Sequence, residues 1–584
     1  MSEEAISPEL AARNMWKWQW RRRVALAQGL YPPQLVLKGG RVLNVFTEEL
    51  VEADVAIDAG RIAGVGSFPE GRETIDITGC IIAPSFIDAH IHIESSLLWL
   101  PEFARTVVPH GTGTIVTDPH EVANVRGLAG IAAMREAARD LPLHVRFTAP
   151  SSVPASPLET PGAAFDDEHI AEMLAWPETV GLGELMNVGG LTAAESSIGD
   201  TLWTSKDALR DGHAPGLRGG PLQAYIGSGI GADHESVTLE EAREKLELGM
   251  FLYLREGSSE KNLVELLPLV TDKTYPRIAF ASDDRDCNDL RTQGHVDDIL
   301  RIAIAHGLDP VRAIRMATWN PANHWRLADT GAVAPGYHAD LVVLRDLASI
   351  DVAMTLHRGR IVAQDGAFTG SIAETDLPEV LLHSVNVAPV HLSDLRLDPA
   401  DAHRAVGVIP GQIVTEYRDV EPKVLDGAAV ADPERDLLKL VSVDRHHASG
   451  RMGIGYVQGL GLKRGAIASS IAHDAHNIIA AGASDIDILA AIATIAEMDG
   501  GLAVVAEGEV LAALPLPIAG LMSAAPAAEV ADTYATLEHE AQRLGSPLAS
   551  PFGQLAFLSL SVIPEARIAD TGFLDLRTTT SPHG

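Results

Sequence analysis

The sequence predicts an α/β protein with a (β/α)8 TIM-like barrel, a small β-sandwich built from both flanks of that barrel, and an additional C-terminal α+β domain. Three observations predict this class. Short apolar strands alternate with helical stretches between residues 85 and 334, in units of about 30 residues. Glycine-punctuated strand patterns occur on both sides of this segment. The remaining chain, residues 374–584, is long enough to form its own core.

Length and composition describe a globular protein of several domains. The chain has 584 residues, of which 46% are apolar and 21% charged, so two or three domains are expected. The formal net charge of −34 argues against nucleic-acid binding, because nucleic-acid-binding surfaces carry clustered lysine and arginine. Cys80 and Cys287 are the only cysteines, so no disulfide framework exists and a reducing compartment is expected.

Neither a signal peptide nor a membrane span is expected. No apolar stretch approaches the length that crosses a bilayer, and charged and aromatic residues at 16–23 interrupt any apolar leader. The chain is therefore expected to be cytoplasmic, with no membrane partner.

Residues 1–30 are expected to form an N-terminal helical extension. Ser7 and Pro8 have the residue types of an N-cap and a first helical position, and an amphipathic pattern continues to about Gln28. The three tryptophans of this helix are expected to pack on the protein rather than to enter a membrane.

Residues 31–84 and 335–373 are expected to form one β-sandwich that the barrel interrupts. Strand-like runs lie at 35–40, 54–57, 61–66, 340–344 and 357–362.

Residues 85–334 are expected to form the barrel. Predicted strands lie at 113–117, 144–148, 180–183, 250–254 and 277–281, and predicted helices at 127–140 and 239–248. The chemistry of such a barrel lies at the C-terminal ends of its strands, so polar residues directly after the strands are the candidates for a site.

The third region, residues 374–584, has strand-like runs at 438–443 and 502–506 and a helical pattern at 485–497. Two histidine pairs occur there, His473 with His476 and His446 with His447, and either could hold a metal ion. Because no further spaced ligands are evident, a structural or interdomain role is favoured for them.

Histidines and carboxylates follow the predicted barrel strands in series. His90 and His92 stand two residues apart on the first strand, so both imidazoles face the same side. Glu184 ends the fourth strand and can bridge two ions. Such ligands in strand-end order are what a divalent hydrolytic site needs. The complete set of candidate metal ligands is His90, His92, Glu184, His213, His234 and Asp283.

The neighbours of these ligands are candidates for proton transfer and substrate binding. Two ions a few ångströms apart can acidify a hydroxide between them, and one ion would still leave an open position for water. Glu235 is a candidate to protonate a ring nitrogen, and an aspartate of the pair Asp283–Asp284 to take the proton of the hydroxide. The residues alone do not decide which aspartate ligates and which moves the proton. His120 and Glu121, after the second strand, are candidate substrate-binding residues.

Chance does not explain the series. The chain has 22 histidines, so any single one is more often an ordinary surface or core residue, but six acceptable ligands in strand-end order are not expected by coincidence. The other acidic pair, Asp297–Asp298, is expected to begin a solvated helix. The glycine-rich run at 227–231 lacks the strand-to-helix phosphate turn of a dinucleotide site.

Several motifs resemble the amidohydrolase superfamily. The run 84–92, Pro-Ser-Phe-Ile-Asp-Ala-His-Ile-His, matches its opening motif with Ser85 where glycine is usual, and 317–322 and 336–344 match its closing motifs. Within the superfamily the chain is similar to the bacterial adenine deaminases. The stretches that carry this similarity are 118–125, 183–188, 211–217, 233–235, 282–285 and, in the third region, 514–523.

The resemblance implies conversion of adenine to hypoxanthine and ammonia at a centre of two divalent ions, Mn²⁺ or Fe²⁺ first and Zn²⁺ as the alternative. A metal-activated hydroxide would attack C6 of the purine while Glu235 protonates N1. The implied partners are adenine and water, and the implied assembly is a homodimer or larger homo-oligomer. Among relatives, Asp283 is the favoured ligand of the aspartate pair.

Two rival functions stay open. An amidohydrolase acting on another aminopurine or on a cyclic amide is the first, although cyclic-amide hydrolases commonly bridge their metals with a carbamylated lysine and no lysine lies near Glu184. A barrel that has lost catalysis and serves as a scaffold is the more distant second. Inactive relatives lose metal ligands, whereas every expected ligand type is present in this chain.

Overall fold

The computed structural model describes residues 7–577. The predicted N-terminal extension and C-terminal domain also include residues 1–6 and 578–584, which lie outside the described residues. Among the described residues, no helix is both long enough and apolar enough to cross a membrane.

The N-terminal helix α1 spans Pro8–Ala27, close to the predicted bounds, and the Ser7 side chain caps its first turn. The C-terminal half of this helix attaches to the neighbouring sheet. Arg22 Nη2 donates to Asp58 Oδ1 at 2.9 Å, and Leu26 is buried in a small apolar cluster with sheet residues.

The prediction that the tryptophans of α1 pack on the protein is wrong. Trp16, Trp18 and Trp20 are 59%, 55% and 47% exposed. Trp16 and Trp20 stack on each other, and the guanidinium of Arg22 lies 5.5 Å from the ring centroid of Trp18. One helix face attaches to the sheet through Arg22 and Leu26, which leaves the tryptophans on the surface.

Seven short strands precede the barrel: β1 (Leu35–Lys38), β2 (Arg41–Asn44), β3 (Glu49–Glu52), β4 (Asp54–Asp58), β5 (Arg61–Gly66), β6 (Glu73–Asp76) and β7 (Ile81–Pro84).

Eight parallel strands follow in chain order: β8 (Phe86–Ile91), β9 (Thr112–Thr117), β10 (His144–Ala149), β11 (Thr179–Leu185), β12 (Leu209–Gly212), β13 (Ala232–Asp233), β14 (Phe251–Arg255) and β15 (Ile278–Ala281). The helices of this segment are α2 (Leu100–Val107), α3 (His120–Ala138), α4 (Asp167–Leu174), α5 (Val188–Thr192), α6 (Ser196–Thr204), α7 (Gly219–Gly227), α8 (Leu239–Glu247), α9 (Leu263–Leu266), α10 (Cys287–Thr292), α11 (Val296–Ala305), α12 (Pro310–Met316) and α13 (Trp319–His324).

These strands and helices form a TIM-like barrel. Strands β8–β12 make one parallel sheet and β13–β15 another. A hydrogen bond from Gly231 N to Arg210 O (3.0 Å) joins the two sheets at one junction. At the other junction Asp283 N donates to His90 O at 3.0 Å, and His92 N donates to Asp283 O at 3.2 Å. Three candidate ligands, His90, His92 and Asp283, thus take part in the backbone hydrogen bonds that link the first and eighth strands.

After the barrel the chain returns to the first sheets through β16 (Leu341–Leu344), β17 (Val352–His357), β18 (Arg360–Gln364) and β19 (Ala367–Phe368). Strand β7 from before the barrel pairs with β16 from after it, in a seven-stranded sheet of order β19-β18-β17-β16-β7-β2-β3. A four-stranded sheet, β5-β4-β1-β6, shares an apolar core with it.

The C-terminal region has strands β20 (Arg404–Val408), β21 (Thr415–Asp419), β22 (Lys423–Leu425), β23 (Ala428–Val430), β24 (Leu437–Val443), β25 (Met452–Gln458), β26 (Ala466–Ser469), β27 (Ile478–Gly482), β28 (Gly501–Ala506), β29 (Glu509–Pro515), β30 (Ala566–Ala569) and β31 (Gly572–Asp575). Its helices are α14 (Asp485–Glu497), α15 (Ala527–Arg543) and α16 (Pro551–Ala556). Eight strands form a separate sheet of order β21-β20-β25-β24-β27-β26-β28-β29, and α14 shares an apolar core with it.

The acidic pair at the start of α11 is only partly as expected. Asp297 and Asp298 lie in the first turn of that helix, but Asp297 is buried and not solvated. It accepts a hydrogen bond from His295 N at 2.7 Å and lies 3.0 Å from His110 Nδ1. His110 is 187 residues away in the chain, so this partner could not be read from the local pattern.

Asp88 on β8 ties the first strand to the eighth. Its carboxylate accepts from Ser282 Oγ at 2.5 Å and from Ser282 N at 3.1 Å, and His295 Nε2 lies 2.9 Å from Oδ2. Asp88, Ser282 and His295 are all fully buried. A buried carboxylate with these partners fixes the strand end that carries His90.

Replacing Asp88 with alanine is expected to lower the free energy of unfolding by about 3–5 kcal/mol, because it leaves the buried partners Ser282 and His295 without their acceptor. Denaturant unfolding followed by circular dichroism measures this change. The fully solvated Asp207 gives the control, since Asp207→Ala should change stability by less than about 0.5 kcal/mol. An Asp88→Ala variant as stable as that control would refute the assigned role.

Candidate metal centre and active site

All ten predicted site residues meet at the C-terminal end of the barrel strands, and all except the partly buried Asp284 are buried. They are His90, His92, His120, Glu121, Glu184, His213, His234, Glu235, Asp283 and Asp284.

The two carboxylate oxygens of Glu184 face two different groups of histidines. Oε1 lies 3.3 Å from His92 Nε2 and 4.0 Å from His90 Nε2. Oε2 lies 2.8 Å from His213 Nδ1 and 3.2 Å from His234 Nε2. Glu184 is the penultimate residue of β11, which directs its side chain between the two groups. A carboxylate in this position is suited to bridge two cations.

Consecutive aspartates after β15 point in different directions. Asp283 Oδ1 lies 3.1 Å from His92 Nε2 and 3.7 Å from His90 Nε2, whereas Asp284 accepts a hydrogen bond from Ser95. Asp283 has a φ of +56°, a left-handed conformation that aspartate adopts more readily than most residues. This turn of the backbone separates the two carboxylates, so only Asp283 joins the histidines.

The histidine tautomers leave two nitrogen lone pairs facing each other. His92 Nδ1 lies 2.9 Å from the carbonyl oxygen of Asp118, which can only accept, so this nitrogen donates. His90 Nδ1 lies 3.0 Å from Asp211 Oδ2 and donates to it in the same way. The two Nε2 atoms are then unprotonated in the neutral rings, yet they lie only 3.2 Å apart. A cation between them removes this repulsion, and the residues present therefore fit a metal site.

The pKa shifts of the cluster also indicate that positive charge is stabilised there. Burial opposes the charged form of His92, but hydrogen bonds with Asp283 and Glu184 outweigh it and hold the pKa of His92 well above its ordinary value. Burial likewise opposes ionisation of Glu184, but the charge of His213 and the surrounding histidine hydrogen bonds hold the pKa of Glu184 well below its ordinary value. Without a metal, protons on the imidazoles have to supply the charge that a divalent cation supplies.

A buried lysine supports the second pair of histidines. Lys245 Nζ donates to Asp233 Oδ2 at 2.8 Å, and Asp233 directly precedes His234. The same ammonium donates to Ala214 O at 2.7 Å, and Ala214 directly follows His213. Lys245 thus fixes the two chain segments that carry these ligands.

Arg255 is a site residue that the sequence analysis missed. It is the last residue of β14, it is buried, and its Nη1 donates to Glu235 Oε1 and to Asp283 Oδ2, the latter at 2.6 Å. Glu235 Oε2 is buried and has no hydrogen-bond partner among the described residues. Its strand-end position identifies Arg255 as a candidate, because it directly follows a predicted strand, but arginine is not a metal-ligand residue type.

Part of the cavity wall comes from the C-terminal region, which the sequence analysis did not assign to the site. Ile413, Phe557 and Leu560 are apolar residues of this wall, and Asp474 is a polar one. The barrel contributes Met186 to the apolar lining. The cavity is therefore closed by two parts of the chain, with carboxylates and imidazoles on the barrel side and apolar groups facing them.

The histidine pair His473 and His476 contacts the barrel, which supports the favoured structural or interdomain role, and with Glu121 the pair also forms a group that could hold a metal ion. His473 Nδ1 lies 2.7 Å from Glu121 Oε1, and His476 Nε2 contacts Glu121 Oε2. His447 also reaches the barrel segment, at 2.9 Å from the carbonyl oxygen of Pro161. Glu121 is the spaced ligand that was not evident in sequence, because it lies more than 350 residues earlier in the chain.

The arrangement differs from that of a lysine-bridged centre. Among the residues lining this cavity none is a lysine, and a glutamate occupies the bridging position. Glu260, another residue missed in sequence, lines the same cavity, and burial raises its pKa to about 7.

Comparison with known proteins extends the similarity to nearly the whole chain. The amidohydrolase family model matches residues 81–362, and the model of the adenine deaminase C-terminal domain matches residues 412–580. An adenine deaminase of Dehalococcoides mccartyi strain CBDB1 is 44% identical over 556 residues, covering 95% of this chain and 97% of that protein. Adenine deaminase 2 of Carboxydothermus hydrogenoformans is 44% identical over 560 residues with the same coverage.

Among solved structures, a β-aspartyl dipeptidase of Fervidobacterium islandicum AW-1 covers 58% of this chain and 100% of its own, at 17% identity and a TM-score of 0.45. That likeness is too weak to carry an argument. The relatives that are 44% identical over almost the full length of both chains show the family: the protein belongs to the adenine deaminase family of the amidohydrolases.

Proposed function

We propose that this protein hydrolyses adenine to hypoxanthine and ammonia, using water as the second substrate. The observation that carries the proposal is the position of Glu235 beside the cluster of metal-ligand residues. One of its oxygens accepts a hydrogen bond from Arg255, and the other is buried in the cavity with no hydrogen-bond partner in the part of the chain that the structure describes. A carboxyl group so placed is suited to exchange a proton with a ring nitrogen of a bound purine.

We propose His90, His92 and Asp283 as the ligands of one divalent ion, His213 and His234 as those of a second, and Glu184 as the ligand shared by both. When bound, two such ions lower the pKa of a water molecule and so supply a nucleophile at neutral pH. The proposed metals are Mn²⁺ or Fe²⁺, with Zn²⁺ as the alternative, because imidazole and carboxylate ligands accept all three.

The remaining side chains move protons and hold the base. Hydrolysis forms a bond between a water oxygen and C6 and breaks the bond from C6 to the amino nitrogen. Glu235 would give a proton to N1, which lowers the charge that develops on the ring. The water loses two protons in this reaction. Asp284, which also lines the cavity, would receive one and pass it to the leaving amine, and the other would replace the proton that Glu235 gives to N1. Asp283 would then act as a ligand, consistent with its place among the histidines.

We propose that His120 and Glu121 form the substrate-binding wall together with the C-terminal region. His120 lines the cavity, and its Nδ1 has no hydrogen-bond partner among the described residues. Both oxygens of Glu121 are engaged by His473 and His476, so it would act by fixing this wall. The apolar side chains opposite, such as Phe557, offer a flat surface to a planar purine.

We propose four structural units: a helical extension at 1–30, a β-sandwich at 31–84 with 335–373, a hydrolase barrel at 85–334, and an adenine deaminase C-terminal domain at 374–584. The pairing of β7 with β16 supports the divided sandwich, and the separate eight-stranded sheet supports the last unit.

We also propose a cytoplasmic homodimer or larger homo-oligomer. Two free cysteines support the reducing compartment, and the exposed tryptophans of α1 support an interface.

Glu235→Gln is expected to keep the metal content of the wild type and to lose about 10²–10⁴-fold in turnover, because it removes a proton donor and not a ligand. Ammonia release from adenine measures turnover, and elemental analysis by plasma mass spectrometry measures the metal. Glu240→Gln is the matched control, since Glu240 is exposed on α8 and pairs only with Arg218. Near-normal turnover of Glu235→Gln would exclude this residue as the proton donor.

His90→Ala is expected to lose bound metal together with turnover, because His90 Nε2 is one of the convergent ligand atoms. The same two measurements apply, with the exposed His306 replaced by alanine as the control. If His90→Ala retained full metal occupancy, His90 would not be a ligand.

A further inference from the structure

A second cleft, of about 600 Å³, lies at the opposite end of the barrel from the metal centre. It is bounded by the C-terminal end of α3, the beginning of β10 and the hairpin of β17 and β18. Strand β10 begins at His144, so the cleft faces the N-terminal ends of the barrel strands, whereas the metal centre faces their C-terminal ends.

The charge of this cleft is opposite to that of the protein as a whole. The chain has 79 acidic and 45 basic residues, yet five arginines line the cleft against two carboxylates, Asp140 and Glu178. The arginines are Arg135, Arg139, Arg146, Arg358 and Arg360.

Two of these arginines have an ordinary structural explanation. Arg135 pairs with Glu178 at 2.8 Å and Arg139 with Glu136 at 2.7 Å. Both lie at the C-terminal end of α3, where the helix dipole favours positive charge. They need no ligand to account for them.

The other three arginines have no ion-pair partner among the described residues. Arg146, Arg358 and Arg360 form no ion pair and no side-chain hydrogen bond with any residue of 7–577, and Arg146 Nε is buried without a partner. Burial lowers the pKa of Arg146; the charge of Glu178 opposes this shift, Arg358 adds to it, and Asp340 opposes it. Arg358 and Arg360 are exposed to solvent and Arg146 is partly buried, so the three guanidinium groups bring positive charge to one cleft, where an anion would be favoured.

Two histidines, His144 and His357, also line the cleft, and both lie beside the carboxylate of Asp340. His144 Nε2 lies 2.8 Å from Asp340 Oδ2, and His357 Nδ1 lies 3.4 Å from Asp340 Oδ1. Asp340 is therefore engaged by these two imidazoles and by the backbone N–H of Arg358, and its carboxylate is not free for the arginine side chains.

We propose that this cleft binds a small anion with two or more negative charges, of the phosphate-monoester or pyrophosphate type. Guanidinium groups bind phosphate oxygens in pairs of parallel hydrogen bonds, and three of them can share one such group. The cleft volume lies within the range of small-molecule sites. A long polyanion is disfavoured, because a net charge of −34 surrounds a cleft of this size.

The test is calorimetric titration of the metal-loaded protein with inorganic pyrophosphate at about 0.15 M salt, where distant surface charges are screened. The variant is R146Q/R358Q/R360Q. The matched control is R435Q/R464Q/R543Q, which removes three exposed arginines of the C-terminal region whose ion pairs lie on the surface. Wild type and control should bind one pyrophosphate per chain with affinities within about twofold, and the cleft variant should bind at least about tenfold more weakly.

Titration with ADP identifies the source of the phosphate, and a single substitution serves if the triple variant does not fold. ADP binding more tightly than pyrophosphate at the same arginines assigns a nucleotide, and equal affinity assigns the phosphate groups alone. If the triple variant does not fold, Arg360→Gln, at an exposed strand position, should still weaken binding several-fold. Equal affinity in wild type and cleft variant, as an anion bound at the metal centre would give, overturns the proposal. So does the absence of binding at millimolar pyrophosphate, or arginine-dependent binding of single-stranded oligonucleotides alone.

Discussion

Glu184 divides a buried cluster of histidines and carboxylates into two halves, one on each of its carboxylate oxygens. His92 lies 3.3 Å from one oxygen and His213 lies 2.8 Å from the other. In the half nearer His90, two unprotonated imidazole nitrogens lie 3.2 Å apart. Buried ligand atoms so close together repel each other unless a cation lies between them or the imidazoles take up protons. The side-chain arrangement at this end of the barrel therefore depends on added positive charge.

The surrounding structure places the cluster accurately. Asp88 fixes the end of the first strand against the eighth, and Lys245 fixes the segments that carry His213 and His234. Arg255 links Glu235 to Asp283, so the proposed proton donor and the proposed ligand share one guanidinium. Each of these supporting groups is itself buried and paired.

Most of the site was predictable because barrel topology turns chain order into proximity. Parallel strands bring their C-terminal ends to one face, so His90 and Asp283 meet although 193 residues separate them in the numbering. Arg255 follows the same rule and was missed only because metal ligands alone were sought. Glu184 was expected at the end of its strand, and it lies inside β11 with one residue to follow.

What the sequence could not provide are contacts between segments that no local pattern relates. The C-terminal wall of the cavity and the contact of Glu121 with His473 depend on how the barrel packs against the C-terminal region. The surface position of Trp16, Trp18 and Trp20 has the same origin, because helix periodicity does not specify which side chains find a partner. The partner of the buried Asp297 is likewise remote in the chain.

The central claim is that Glu184 joins two cation sites, and anomalous X-ray diffraction from crystals of the manganese-loaded protein tests it most directly. Two anomalous peaks flanking the Glu184 carboxylate, one beside His90 and His92 and one beside His213 and His234, are the predicted result. Fully loaded crystals with no peak among these side chains, or with a single peak that Glu184 does not contact, would contradict the account.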